Sequence, residues 1–326
     1  LSRVRARNRR PRALAYDPAV DAMIDFAIVG EPKSGTTALA EFLGGHPGIC
    51  MSVPKEPAYF ATDLREESDR FHGGPRYFEF RTEADYAAAF AHCGHGRLRG
   101  DASTAYLHSQ AAAANLQAVD PGLKIIVMLR EPVSFMHSLH MQFVNETTED
   151  EPEFARALEK EAERRAGRSI PPRVRCPSFL YYRERAHYST QLERYYAVFP
   201  REQILVLTLE EFRADNAGHY RRVLEFLGAD ATYEPEFREV HASKAPRSRW
   251  LNRALNTPAL KRALFRALGP RRYDALSKNV AEATMKRTDR EELPESLELE
   301  LRRELRAEVD RVSDLVGRDL HAVWGY

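Results

Sequence analysis

The segment Ile24–Leu39, IDFAIVGEPKSGTTAL, constrains this chain more than any other. A branched apolar run ends at Gly30, a short loop follows, and a helical pattern starts near Thr36 and runs to about Leu43, stopped by Gly44-Gly45. Strand, glycine-bounded loop and helix start put backbone N–H groups and the positive end of a helix dipole in one place, where an anion binds. Gly30 and Gly35 allow close approach of the backbone. Lys33 adds a point charge, and Ser34, Thr36 and Thr37 add hydroxyl donors. The pattern reads as a cradle for phosphate or sulfate. It departs from the usual nucleotide-triphosphate loop, in which lysine follows the second glycine; here Thr36-Thr37 follow Gly35 and the lysine lies inside the loop. A serine-hydrolase elbow is excluded, because it needs glycine where Pro32 stands.

The rest of the chain supplies the sheet that such a loop requires. Leu123–Leu129 is the strongest strand signal and ends at Arg130, with Pro132 placed to open a helix running to about Asn145. Gln203–Leu207 is another clear strand, and Arg99–Leu107 reads as a second strand edge followed by an alanine-rich helix to about Val119. Short helices are expected at 82–91, from Tyr188 to about Phe199 and from Asn216 to about Leu227. Glu149 to about Arg168 reads as one charged helix, and Thr62 to about Phe80 as a surface excursion. From Trp250 onward the pattern is helical, with spans Trp250–Leu268 and about Glu295–Val316. Strands alternating with helices predict an α/β fold: a parallel sheet flanked by helices, P-loop-like, with a helical C-terminal extension. Residues 21–326 read as a single domain behind a basic, flexible tail over residues 1–20.

Composition narrows the function classes. A formal net charge of +1 gives no global case for nucleic acid. No apolar run approaches the roughly 20 residues of a membrane-spanning helix. Three widely spaced cysteines, Cys50, Cys93 and Cys176, predict no disulfide framework and a reducing, cytoplasmic compartment. The abundance of Ala and Arg points to a GC-rich bacterial genome. The chain opens on leucine, so a preceding segment or anchor stays open. Metal readings fall on His92-Cys93-Gly94-His95 and on His137/His140, yet neither completes a tetrahedral ligand set, so no metal site is expected.

Arg130 at a strand's carboxyl end, with Ser134 and Ser138 four residues apart on the next helix, suits a second phosphate group. Alone, Arg130 could equally serve a neighbouring carboxylate; beside the cradle, it reads as a phosphate contact.

GEPKSGTTALAEFLGGHP, KEPAYF and KIIVMLREPVSFMHSLHMQF together resemble the sulfotransferase family that uses 3′-phosphoadenosine-5′-phosphosulfate (PAPS). The later segments HYSTQLERYYAVFPREQILVLTLEEFRADNAGHYRRVLEFLGAD, HASKAPRSRWLN and DLVGRDLHAVW are similar to the same family, so the resemblance runs from about residue 24 to the C-terminus. It implies that Lys33, Ser34, Gly35, Thr36 and Thr37 hold the 5′-phosphosulfate and that Arg130 and Ser138 hold the 3′-phosphate. It also implies a loop at 242–249 closing over the nucleotide through Lys244 and Arg247, and Tyr188 bordering the adenine, where a core aromatic is the alternative. Glu56 in KEPAYF matches the base of the carbohydrate-modifying branch, with a cap or surface carboxylate beside Lys55 as its alternative. A sugar or alkyl hydroxyl is a poor nucleophile until such a base takes its proton. Lys33 would stabilise charge on the departing oxygen, and the low charge of a sulfuryl group removes the need for a metal.

The chain departs from the family in three places. Asp-Ala-Ser-Thr at 101–104 lacks the lysine and histidine of the steroid and phenol branch, and His108 lies too far on to replace them. Ala102 stands where heparan-type enzymes carry lysine, and Ala58 and Ala61 do not match their histidine and aspartate. The expected acceptor is therefore a hydroxyl on a carbohydrate, lipid or other small molecule, its identity open. A P-loop kinase using Mg-ATP, or a non-catalytic nucleotide-binding protein on the same fold, are the alternatives. The displaced lysine and the lack of an acidic end on the best strand weigh against the kinase.

Overall fold

The computed structural model describes residues 23–237 and 293–326, with the short pieces 244–246, 263–264, 267–269, 272–273, 275–277, 279–280 and 285–287 between them. Its centre is a five-stranded, fully parallel sheet in the order β2-β3-β1-β4-β5. The strands are β1 (Phe26–Gly30), β2 (Ile49–Met51), β3 (Leu98–Ala102), β4 (Lys124–Leu129) and β5 (Ile204–Thr208). Arg99–Leu107 is thus no edge: β3 pairs with β2 on one side and β1 on the other, and β2 forms the border.

Alternation along β1 and β4 feeds two apolar layers, as expected for a parallel sheet covered on both faces. Phe26, Ile28, Ile126 and Met128 pack beneath α1 (Thr36–Gly45) and α12 (Asn216–Leu227). Ala27, Val29, Ile125, Val127 and Leu129 face the larger core. That core takes in α2 (Thr62–His72), α5 (Ala112–Val119), α6 (Pro132–Glu146) and α10 (Tyr188–Tyr196). It also takes in α13 (Glu295–Val316), whose buried Leu301, Leu305, Val309 and Val312 recur at helical spacing.

The remaining helices are α3 (Glu83–Ala88), α4 (Ala105–His108), α7 (Phe154–Glu159), α8 (Glu161–Arg165), α9 (Tyr182–Ala186), α11 (Leu209–Ala214) and α14 (Leu320–Trp324). Two expectations change. Thr62–Phe80 is no surface excursion: it contains α2, and Leu64, Phe78 and Phe80 enter the core. The single helix expected over Glu149–Arg168 is broken into α7 and α8. The buried Arg164 of α8 folds back to the Glu149 carboxylate at 2.7 Å, and Tyr182 donates to the same group at 2.8 Å.

The cysteines also correct the sequence reading. Cys50 of β2 and Cys93, beyond α3, form a disulfide across 43 residues, while Cys176 is free and buried. Among the described residues no helix is long and apolar enough to cross a membrane. The basic tail over residues 1–20, most of the span 250–268 and Arg247 lie outside the described residues. Lys244 belongs to β6 (Lys244–Pro246), whose backbone pairs antiparallel with β7 (Met285–Arg287).

Candidate active site

Strand order sets the location. The connection from β1 leads to β2 on one side of the sheet, and that from β4 leads to β5 on the other. The carboxyl ends of β1 and β4 therefore flank a topological switch point, where open α/β sheets bind ligands.

The cradle leaves β1 through Glu31, whose N–H donates to the Met128 carbonyl of β4 at 2.6 Å. Lys33 and Gly35 both hold positive φ, at 65° and 89°. Gly35 is the N-cap of α1 and offers no side-chain acceptor, so the first-turn N–H groups keep their donors for another partner. A side chain at Gly35 would be strained and would approach Leu209 Cδ1 to 3.0 Å. Ser34 is 0 % exposed, and its hydroxyl has no hydrogen-bond partner in the described protein. A buried, unmatched hydroxyl at a helix start can donate to an anion there. Thr36 is buried, Thr37 half-buried and Lys33 exposed.

Beneath the loop, Glu31 forms an ion pair with Arg185 of α9 at 2.7 Å, both side chains almost fully buried. Burial pushes the Glu31 carboxyl up, and the Arg185 guanidinium opposes it. Arg185 lies over the rings of Phe135 and Phe179, and His108, buried nearby, is held well below the ordinary histidine range by burial and by Arg185.

Arg130 follows β4, is buried, and reaches the Lys33 carbonyl at 3.5 Å, bringing the second predicted phosphate contact to the cradle. Glu131 caps α6 by accepting from Val133 and Ser134. Tyr326 donates to Glu131 at 2.9 Å and Trp324 to Glu210 at 3.0 Å, so the C-terminal turn braces this corner. Ser138 lies further along α6, half-buried. Tyr188 takes the alternative reading, that of a core aromatic: its ring is 0 % exposed against Phe135 and Trp324, and its hydroxyl donates to the Arg130 carbonyl at 3.1 Å. It has no exposed face to offer an adenine, and serves to hold the backbone of Arg130.

Glu56 comes from the loop after β2. It holds positive φ, 66°, and its N–H donates to the Ala102 carbonyl at the end of β3. One carboxylate oxygen accepts from the N–H and hydroxyl of Thr104 at 2.8 and 2.9 Å; the other pairs with Lys55. Glu56 therefore stands fixed at the end of β3, the strand next to β1. Sequence reasoning missed its support. Ser103 accepts from the Ala58 N–H at 2.9 Å and donates to Asp101 at 2.7 Å. The fully buried Asp101 also accepts from Tyr86 and Tyr106. Burial pushes the Asp101 carboxyl up to about 6, against the lowering effect of those three hydroxyls. The run Asp-Ala-Ser-Thr at the carboxyl end of β3, with three polar residues in four, was the available signal. His140 is a core histidine bonded to the Glu151 carbonyl.

A family model for the sulfotransferase domain matches residues 23–252, covering the cradle, Glu56, Arg130 and β5. The chain belongs to the sulfotransferase family. Its curated relatives include the bifunctional heparan sulfate N-deacetylase/N-sulfotransferase 4 of Mus musculus, 26% identical over 222 residues, which covers 65% of this chain and 23% of that protein. They also include the heparan sulfate glucosamine 3-O-sulfotransferase 3A1 of Mus musculus, 27% identical over 221 residues, covering 66% of this chain and 48% of that protein. This sulfotransferase-family chain thus matches less than half the length of either. A solved sulfotransferase from Alicyclobacillus acidocaldarius is similar over 92% of this chain and 98% of its own, with a TM-score of 0.66 and 25% identity.

Proposed function

We propose that the chain transfers a sulfuryl group from PAPS to an acceptor hydroxyl and releases PAP, the 3′,5′-bisphosphate. The observation that carries this reading is the meeting of three groups at adjacent strand ends. These are the cradle with its unmatched Ser34 hydroxyl after β1, Arg130 after β4, and the oriented Glu56 carboxylate beside β3.

The cradle residues Lys33, Ser34, Gly35, Thr36 and Thr37 would take the 5′-phosphosulfate through backbone N–H and hydroxyl donors. Arg130 and Ser138 would take the 3′-phosphate, with Lys244 and Arg247 as additional contacts. Glu56 would accept the acceptor's O–H proton as that oxygen attacks sulfur, with Thr104 fixing the carboxylate. As the sulfur–oxygen bond to the 5′-phosphate breaks, the Lys33 ammonium would neutralise the charge left on the bridging oxygen. In the transfer one proton would move to Glu56, and one sulfuryl group would move from the 5′-phosphate oxygen to the acceptor oxygen. The heparan sulfate relatives favour a carbohydrate acceptor; the cytoplasmic location expected from the cysteine spacing loses that support with the Cys50–Cys93 disulfide.

Incubation with radiolabelled PAPS and a panel of carbohydrate and small-alcohol acceptors tests the reading, alongside thermal shift with PAP in EDTA. Label transfer and metal-independent stabilisation by PAP are expected. Stabilisation by Mg-ATP but not by PAP would overturn the reading in favour of a kinase. PAP binding with no transfer to any acceptor, and no effect of Glu56→Gln on donor hydrolysis, would leave a nucleotide-binding protein.

A further inference from the structure

A second cluster lies beyond this site, at the border of the sheet. Cys50 of β2 and Cys93 meet in the disulfide, and His92 Nε2 sits 3.4 Å from Cys50 Sγ. The two sulfurs and one imidazole nitrogen lie within 4.8 Å of one another. Two thiolates and one imidazole are the donor set of a tetrahedral zinc site with one position left over. The sequence hides the cluster, because His92 and Cys93 are adjacent while Cys50 comes from a strand 43 residues earlier.

The backbones carrying these groups are held together by bonds other than the disulfide. Cys50 is in register with Arg99 in the β2–β3 ladder. The Val53 N–H donates to the Ala89 carbonyl at 3.0 Å, and the Cys93 N–H to Phe90 at 2.8 Å. Arg97 binds the carbonyls of Ile49 and His46. Opening the sulfur–sulfur bond therefore leaves the two cysteines facing each other beside His92. Their Cα atoms are 5.8 Å apart. Two sulfurs each about 2.3 Å from a zinc ion are separated by about 3.8 Å in a tetrahedron. Side-chain rotation over that Cα separation reaches this spacing. Cys50 is buried, whereas His92 and Cys93 are half-buried, so an ion can reach the cluster from their side.

We infer that Cys50, Cys93 and His92 form a three-ligand site for a borderline-soft divalent ion such as Zn²⁺, available when the cysteine pair is reduced and closed when it is oxidised. The conversion needs a dithiol reductant. Its thiolate attacks the more accessible sulfur, that of Cys93, and Cys50 leaves as a thiolate beside the His92 imidazole. The reductant's second thiol then resolves the mixed disulfide and departs as a disulfide, with two electrons and two protons delivered to the protein. Binding of Zn²⁺ releases those two protons from the thiols and leaves two thiolates and one neutral imidazole on the metal. The site is independent of sulfuryl transfer, and its test reads metal and protons rather than turnover.

The whole chain, reduced and then freed of reductant without air, is titrated with Co²⁺ and then with Zn²⁺. The expected result is one Co²⁺ per chain with thiolate-to-cobalt charge-transfer absorption, displacement by Zn²⁺, and release of about two protons per ion. Air-oxidised wild type, which needs no substitution, is expected to bind neither ion at this site. Cys50→Ser and Cys93→Ser are expected to abolish the absorption, and His92→Ala to weaken binding by about tenfold or more. Absence of thiolate-to-cobalt absorption in the reduced chain would overturn the site, as would equal binding by oxidised and reduced protein or unchanged binding by folded Cys50→Ser.

Discussion

The two halves of the candidate site are built in opposite ways. The donor side, from Gly30 to Thr37, is a contiguous loop whose backbone, held in left-handed φ at Lys33 and Gly35, presents its own donors. The acceptor side is a set of side chains from separate segments: Glu56 rests on Thr104, and its loop is tied through Ala58 and Ser103 to Asp101, Tyr86 and Tyr106. Backbone geometry makes the first generic for an anion. The second is set residue by residue.

That contrast can be broken at the cradle's foundation first. Arg185→Met leaves the Glu31 carboxyl buried without its partner, and loss of one member of a buried pair costs about 3–5 kcal/mol. Urea denaturation should show that loss, together with weaker PAP binding because Glu31 is part of the loop. A cost below about 1 kcal/mol would mean that the pair does not support the cradle. Next, Lys33→Ala should lower turnover by about 10²–10³-fold, the cost of removing one donor from developing charge. Steady-state kinetics with saturating PAPS measures it; unchanged kcat would remove Lys33 from the reacting centre.

On the acceptor side, Asp101 gives a pH signature. Its folded pKa, about 6, lies above its ordinary value, so the protonated form favours the folded state. The stability it contributes is present below about pH 4 and is lost as pH rises through about 6. Wild type should therefore lose roughly 2 kcal/mol relative to Asp101→Asn between pH 4 and 7. Equal pH profiles would show that Asp101 is not desolvated as described. The smallest effect is expected for Thr104→Val, which removes one of the two bonds that Thr104 gives Glu56. A kcat about tenfold lower with unchanged PAP affinity is expected, since one hydrogen bond to a charged group is worth about 1.5 kcal/mol.

The same contrast explains what could be read from the sequence. The cradle, β4 with Arg130, and α6 opened by Pro132 are local patterns, and glycine, proline and apolar runs reveal them before any tertiary contact is known. The long helix Glu295–Val316 was legible for the same reason. Residues whose roles depend on distant partners were not. Thr104 gains meaning only from Glu56, 48 residues away, and the charged segment at 62–80 looked exposed although Phe78 and Phe80 fill the core. Cys50 and Cys93 looked too far apart to pair until β2 and the turn after α3 came together. Tyr188 fell between these cases: its helix was predictable, but the burial that gives it the Arg130 carbonyl in place of a ligand depends on Trp324 at the far end of the chain.

The most direct test is to measure PAP affinity by calorimetry and sulfuryl transfer from labelled PAPS for wild type and Glu56→Gln side by side. The two-sided site predicts an unchanged PAP dissociation constant with turnover lower by about 10²–10⁴-fold, because only the proton acceptor is lost. Undiminished turnover in Glu56→Gln, with PAP bound as in wild type, would contradict it.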